Sequence, residues 1–191
     1  MTDCYSGYFA SVAGAKQKCF FHVSRKARDW RKLVEADSQD FAFFTDVIRF
    51  VNRGCRFHRR RGARELSKRK IAAEQKWLPN ELTRLQFCDV YHEKAITLQA
   101  LLIRHNGEWL VFLDDPRVSP TNNLAERALR PLVVLRKVTF GSRTDTGATR
   151  MAKLMTVAET SRRHGKRSSA IYYELYTRPP DEVLRSMYAV G

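Results

Sequence analysis

Apolar residues recur at helical spacing along most of the chain, and this periodicity limits the fold more than any other feature. One helical face between residues 43 and 51 collects five of them: Phe43, Phe44, Val47, Ile48 and Val51. Similar spacing predicts helices after Ser24, over residues 63–78, 80–104 and 123–130, from Gly147 to Gly165, and from about residue 169 and Pro180. Most of the chain is therefore expected to be helical.

Three short apolar segments depart from helical spacing. Residues 18–23 and 138–140 are predicted to be strands, and residues 109–113 to be a strand or a buried connection. Together with the helices, these segments predict an α-rich α/β fold.

The chain carries a large excess of positive charge. Its 35 Lys and Arg residues against 20 Asp and Glu residues give a formal net charge of +15. A polyanion such as DNA is the usual partner that relieves this self-repulsion. No segment approaches the roughly 20 apolar residues that span a bilayer, and the first residues do not form a signal peptide. We therefore expect a cytoplasmic protein without a membrane partner, whose four cysteines are thiols.

The positive charge is concentrated in residues 53–70, which contain nine Lys or Arg residues and one acid. Arg59, Arg60 and Arg61 are adjacent in this run and are predicted to contact the DNA backbone. The alternative is a solvated helical face without a ligand.

Residues 119–131 form the segment with the most chemical information. Asn123 followed by Glu126 is an Asn version of the capping box, and Glu126 is placed to pair with Arg130 at the i, i+4 spacing. On this structural interpretation the segment needs no catalytic role.

The same segment resembles the signature of the insertion-sequence sixty-six transposases. The matching positions are Asn122, Asn123, Ala125, Glu126, Arg127, Arg130, Pro131, Arg136, Lys137, Gly141, Ser142, Gly147, Ala148, Glu159 and Thr160. Near the start, Asp3-x-Tyr5-x-Gly7-Tyr8 and Cys19-x-x-His22-x-x-Arg25 resemble the segment around that family's second catalytic Asp. The resemblance covers both ends of the chain.

The resemblance implies a DDE transposase, in which an RNase H-like core holds two divalent metal ions, Mg²⁺ or Mn²⁺, on two Asp and one Glu. Two such ions serve the attacking and leaving oxygens in phosphodiester hydrolysis and strand transfer. By this resemblance Asp3 and Glu126 are the second and third catalytic acids and metal ligands. Arg127, Arg130, Arg136 and Lys137 would contact phosphates, and Asn122 and Asn123 would position the Glu126 helix.

The family's first catalytic Asp is expected upstream of Met1. The chain is therefore expected to be the C-terminal part of a catalytic domain, and to be inactive alone. Residues 1–34 and 106–191 would form a partial RNase H-like core around a basic helical insertion at 35–105. Its partners would be transposon ends, target DNA, and a full-length transposase or other element-encoded proteins. The alternative is a non-catalytic DNA-binding remnant that regulates a full-length transposase.

Two further groups of residues were considered as metal sites. Asp114 and Asp115 follow an apolar run, although turn chemistry explains an Asp before Pro116 more simply. Cys19, His22, Cys55 and His58 have the ligand types of a zinc site, but their pairing is unusual for one. Zinc is therefore not the expected metal.

Overall fold

The computed structural model describes residues 16–188, and every regular element in that range is a helix. Within these residues, nine α-helices follow one another: α1 Phe20–Arg31, α2 Gln39–Gly62, α3 Lys68–Phe87, α4 Glu93–Arg104, α5 Val111–Asp114, α6 Asn123–Val138, α7 Asp145–Arg163, α8 Ser168–Thr177 and α9 Pro180–Tyr188. A 3₁₀ turn spans Asn106–Glu108. The helix pattern predicted for α2, α8 and α9 is confirmed.

The predicted α/β fold is wrong for the described residues. Residues 16–188 contain no β-strand or sheet, so the partial RNase H-like core implied by the family resemblance is not the architecture found there. This part of the protein is all-helical.

The predicted strand at residues 18–23 fails because its apolar residues continue into a helix. Phe20, Val23 and Ala27 are all buried, and their spacing of three and four residues places them on one face of α1. A six-residue window contained too little of this pattern to distinguish it from a buried strand. Residues 109–113 were predicted to be a strand or a buried connection, and they form a buried connection. Residues 138–140, predicted to be a strand, are the end of α6 and the turn after it.

Two of the predicted helices, 63–78 and 123–130, end just before a proline, but the helices found there continue through it. Pro79 lies within α3, where the apolar face continues as Leu78, Leu82 and Leu85, and the break comes instead after Phe87. Pro131 lies within α6, which runs on to Val138. A proline removes one backbone hydrogen bond and does not always end the helix. Gly165 ends α7 as predicted, with a left-handed φ of 69°.

The chain divides after Asn123 into two compact units. In the first unit, α1 to α4 surround one hydrophobic core, and residues 109–113 fill its interior. Its largest fully buried side chains include Phe20, Phe44, Phe50, Trp109 and Phe112. The second unit has a smaller core of Ile171, Val183 and Met187, with Val157 and Leu175 packed against it.

Charged side chains also join the helices of the first unit. Arg53 on α2 donates two hydrogen bonds, of 2.8 and 3.0 Å, to the Glu74 carboxylate on α3, and its guanidinium lies 3.8 Å from the ring centroid of Trp77. The buried carboxylate of Asp40 accepts hydrogen bonds from the backbone of Tyr91 and His92, just before α4. These contacts fix α3 and α4 against α2.

Helices α1 and α2 approach closely at Gly54. A Cβ atom at this position would lie 2.7 Å from Cε2 of Phe20 and 3.3 Å from Cζ of Phe112. Because both rings belong to the packed core, neither has room to move away. The absence of a side chain at Gly54 therefore sets the distance between the two helices.

None of the helices in the described part of the chain is long and apolar enough to cross a membrane.

We predict that Gly54→Ala lowers the free energy of unfolding by about 1–3 kcal/mol, because the added methyl group overpacks the Phe20 contact. Chemical denaturation of the purified protein measures this change. Gly62→Ala is the matched control, since a Cβ there meets nothing within 4 Å and alanine favours the helix. Equal stability of the Gly54→Ala variant and the unchanged protein would contradict the close approach.

Candidate nucleic-acid interface

A groove of about 420 Å³ lies on the surface of the first unit, between α1 and α2. Helix α1 contributes Phe21, Ser24 and Arg28 to its lining, and α2 contributes Val51, Asn52, Cys55, Arg56 and Arg59. Thr121 and Asn123, from the segment that leads into α6, complete the lining. The groove therefore contains residues of two different helices and of residues 119–131, the signature segment.

The groove is positively charged. Arg28, Arg56 and Arg59 are exposed, and no acidic residue contributes to the lining. Asn52, Arg56 and Arg59 follow one another at intervals of four and three residues, so they share one face of α2. Three cations in a groove whose lining contains no acid suit an anion that carries several charges.

Backbone contacts hold the signature segment beside α1. The Phe20 amide donates to the Pro120 carbonyl at 2.9 Å, and the Asn122 amide donates to Sγ of Cys19 at 3.2 Å. Ser119 closes the turn, because its hydroxyl donates to the Thr121 carbonyl and accepts from the Thr121 amide. These bonds fix the place of Thr121 and Asn123 in the groove.

The chain just before α1 is anchored in the interior of the same unit. Gln17 is buried, and its side chain donates to the Trp109 carbonyl at 2.8 Å and accepts from the Phe112 amide at 3.2 Å. Nζ of buried Lys18 lies 3.3 Å from the Glu108 carboxylate. Paired in this way, the two polar residues can be buried without leaving their groups unsatisfied.

Glu108 also faces His105 in this cluster, with Nδ1 of the imidazole 3.5 Å from the carboxylate. Burial lowers the pKa of His105, and the nearby Lys18 ammonium lowers it further. His105 is therefore neutral at physiological pH, and Lys18 is the cation that Glu108 compensates.

The predicted catalytic residues occupy different parts of the chain. Asp3 lies outside the described residues. Glu126 is exposed in the first turn of α6. Arg130 and Lys137 are exposed on the same face of α6 as Glu126, because positions 4 and 11 residues apart nearly coincide around a helix. The exposed side chains of Arg127 and Arg136 lie on either side of that face.

The three adjacent arginines predicted to contact DNA have different surroundings. Only Arg59 lines the groove. Arg60 pairs with Glu65, with a distance of 3.3 Å between Nε and the carboxylate. Arg61 donates to the Leu113 carbonyl at 2.7 Å, so it links α2 to the buried connection.

Arg28 and Arg56 were not among the sequence-predicted site residues. Arg56 belongs to the basic run and lies three positions before Arg59. This spacing places both on one face of a helix and could have been recognised in the sequence. Arg28 lies outside that run, and only the packing of α1 on α2 brings it to the same groove. Asn123 lines the groove, whereas Asn122 does not.

The groove cysteine is a neutral thiol. Burial raises the pKa of Cys55 to about 11, and the nearby Cys19 contributes to the increase. Cys55 therefore carries no thiolate at neutral pH in this environment.

His58 contacts the chain before α6. Nε2 of its imidazole lies 3.1 Å from the Pro116 carbonyl oxygen.

Asp115 belongs to a local turn. Its carboxylate accepts hydrogen bonds from the side chain and the backbone amide of Arg117, which lower its pKa to about 2. Its carbonyl accepts from the Val118 amide. This is the turn chemistry that we favoured over a metal site.

The first unit is therefore a helical bundle with an arginine-lined groove on its surface. Residues 1–150 match the protein family described as Transposase IS66 family, and the chain belongs to that family. This confirms the resemblance found in the sequence. No curated protein matches the chain, and no solved structure matches it either.

We predict different effects of two neighbouring substitutions on stability. Arg61→Ala should lower the free energy of unfolding by about 1 kcal/mol, because it removes the hydrogen bond to Leu113. Arg59→Ala should leave stability unchanged within about 0.5 kcal/mol, since its side chain is exposed in the groove. Urea denaturation of both variants measures the difference. Equal stability losses would show that Arg59 also has a structural role.

Proposed function

We propose that the groove between α1 and α2 binds the DNA backbone during transposition. The observation that carries the proposal is the convergence of Arg28, Arg56 and Arg59 in one groove whose lining contains no acid. Membership of a transposase family supports DNA as the polyanion.

The chemistry of the groove favours contact with phosphates. Arginine presents a planar fork of donors that matches two oxygens of one phosphate. Each phosphate contact releases condensed counterions, so the affinity should fall steeply as the salt concentration rises. Contacts of this type position the DNA without reading its sequence.

The proposed reaction is metal-dependent hydrolysis and strand transfer at phosphodiester bonds. Glu126 and Asp3 would hold Mg²⁺ or Mn²⁺, as in the DDE transposases that the chain resembles. The exposed carboxylate of Glu126 supplies the hard oxygen ligand that these ions prefer. A bound ion would supply charge stabilisation at the phosphate and a polarised water or 3′-hydroxyl.

Within α6, the residues around Glu126 have distinct proposed roles. Arg130 and Lys137, on the same helical face, would hold the phosphates next to the reacting one. Arg127 and Arg136 would contact the flanking backbone. Asn122 and Asn123, whose segment is bonded to α1, would fix the start of the helix.

Binding without catalysis is the second candidate function. It is favoured by the groove itself, because the lining contains no acidic residue that could hold a catalytic metal ion. A chain that binds DNA through this groove could occupy transposon ends and regulate a full-length transposase.

One set of variants tests the proposal and separates the two candidates. Arg56→Ala should weaken binding to a transposon-end duplex several-fold, and should make the slope of log affinity against log salt less negative by about 0.9. Glu126→Gln should leave that affinity unchanged and abolish cleavage and strand transfer in Mg²⁺ or Mn²⁺. Fluorescence anisotropy and gel-based strand-transfer assays measure the two properties.

Arg104→Ala is the matched control, because it removes the same charge from an exposed position on α4 outside the groove. Unchanged DNA affinity of the Arg56→Ala variant would overturn the groove as the binding site. Loss of strand transfer in the Glu126→Gln variant would favour the first candidate, and strand transfer that survives this substitution would overturn the catalytic role.

A further inference from the structure

The groove contains an aromatic ring among its arginines. Phe21 lies on α1 and remains 38% exposed, although two other apolar residues of the same helix, Phe20 and Val23, are buried. Val51 of α2 provides an apolar patch in the same groove. A site built only for phosphates would not need an apolar surface.

The dimensions of the groove suit a small planar ligand. Its volume of about 420 Å³ falls within the range of pockets that enclose small molecules and cofactors. In a duplex the bases are stacked inside the helix and cannot enter such a recess. An unpaired nucleotide can place its base in the recess and its phosphates at the rim.

The polar groups of the lining match a nucleobase. The exposed side-chain amide of Asn52 offers one acceptor and two donors, which suit the edge of a base. Ser24, at the floor, is only 2% exposed, and within residues 16–188 its hydroxyl has no hydrogen-bond partner. A buried hydroxyl without a partner is costly, and a polar ligand atom that reaches the floor would satisfy it.

We infer that the groove accepts one unpaired nucleotide from a DNA end, with its base stacked on Phe21 and its phosphates bound by Arg28, Arg56 and Arg59. The inference rests on the proposed function, because it specifies which form of DNA the groove prefers. Stacking on one aromatic ring is tolerant of base identity. The groove therefore selects unpaired ends without selecting their sequence.

The test compares two DNA probes that differ only at one end: a blunt duplex, and the same duplex with a three-nucleotide single-stranded overhang. The unchanged protein should bind the overhang probe about tenfold more tightly by fluorescence anisotropy, as expected for one stacked base. An overhang of abasic residues should lose the stacking part of this gain, because it keeps the phosphates but has no base to stack on Phe21. 2-Aminopurine in the overhang should lose fluorescence on binding, which charge alone would not cause.

Phe21→Ala should remove the tenfold preference, so that this variant binds the blunt and overhang probes with equal affinity. Phe21→Trp should keep the preference, which guards against a folding defect in the alanine variant. Phe87→Ala is the matched control, since Phe87 is 78% exposed and lies at the end of α3 outside the groove.

Equal affinities of the unchanged protein for the blunt and overhang probes would overturn the inference and leave the proposed function intact. So would a Phe21→Ala variant that keeps the preference. Full blunt-duplex affinity in an Arg28→Ala, Arg56→Ala double variant would instead overturn the proposed function, and with it the groove as a nucleotide site.

Discussion

The contact between Phe20 and Gly54 determines the geometry of the first unit. The Phe20 ring occupies the space that a side chain at position 54 would fill, and it also packs on Phe50, Trp109 and Phe112. This one ring therefore holds α1, α2 and the buried connection together. The groove lies on the outer side of the same two helices, so its width depends on how closely they approach at this contact.

Buried polar bonds add direction to this hydrophobic contact. Apolar packing alone would allow the chain before α1 to shift along the core, since burial of apolar area has no preferred geometry. The hydrogen bonds between the Gln17 side chain and the backbone of Trp109 and Phe112 fix the position of this part of the chain along the core. On the other side, the bonds from Cys19 and Phe20 to residues 120–122 attach the signature segment to α1. The segment that precedes Glu126 is thus fixed by residues about one hundred positions earlier.

Much of the helical pattern could be predicted from the spacing of apolar residues. Helices α2 and α9, for example, each carry an apolar face that recurs at helical intervals. Only the second half of helix α1 was predicted in this way, as the helix expected after Ser24, and its first turn was not. Its apolar face starts at the same residues that look like a buried strand, and only Ala27 and the contact at Gly54 show that the period is helical. The implied RNase H-like core was an inference from the family, and the local packing of residues 16–188 does not form it.

The groove was partly visible in the sequence. Arg59 and Asn123 were selected from a basic run and from a family signature, and both line the groove. Phe21 and Arg28 were not selected, because they lie on another helix and become groove residues only through tertiary packing. For Arg61 the sequence predicted a contact with DNA, but the structure shows a hydrogen bond to the Leu113 carbonyl that its charge alone could not indicate.

Arginine footprinting of the unchanged protein tests the central claim, that this groove is the surface that binds DNA. The protein would be modified with phenylglyoxal in the presence and absence of a transposon-end duplex, and the modified arginines mapped by mass spectrometry. The account predicts that DNA protects Arg28, Arg56 and Arg59 and leaves Arg104 as reactive as before. Equal modification of the three groove arginines with and without bound DNA would contradict it.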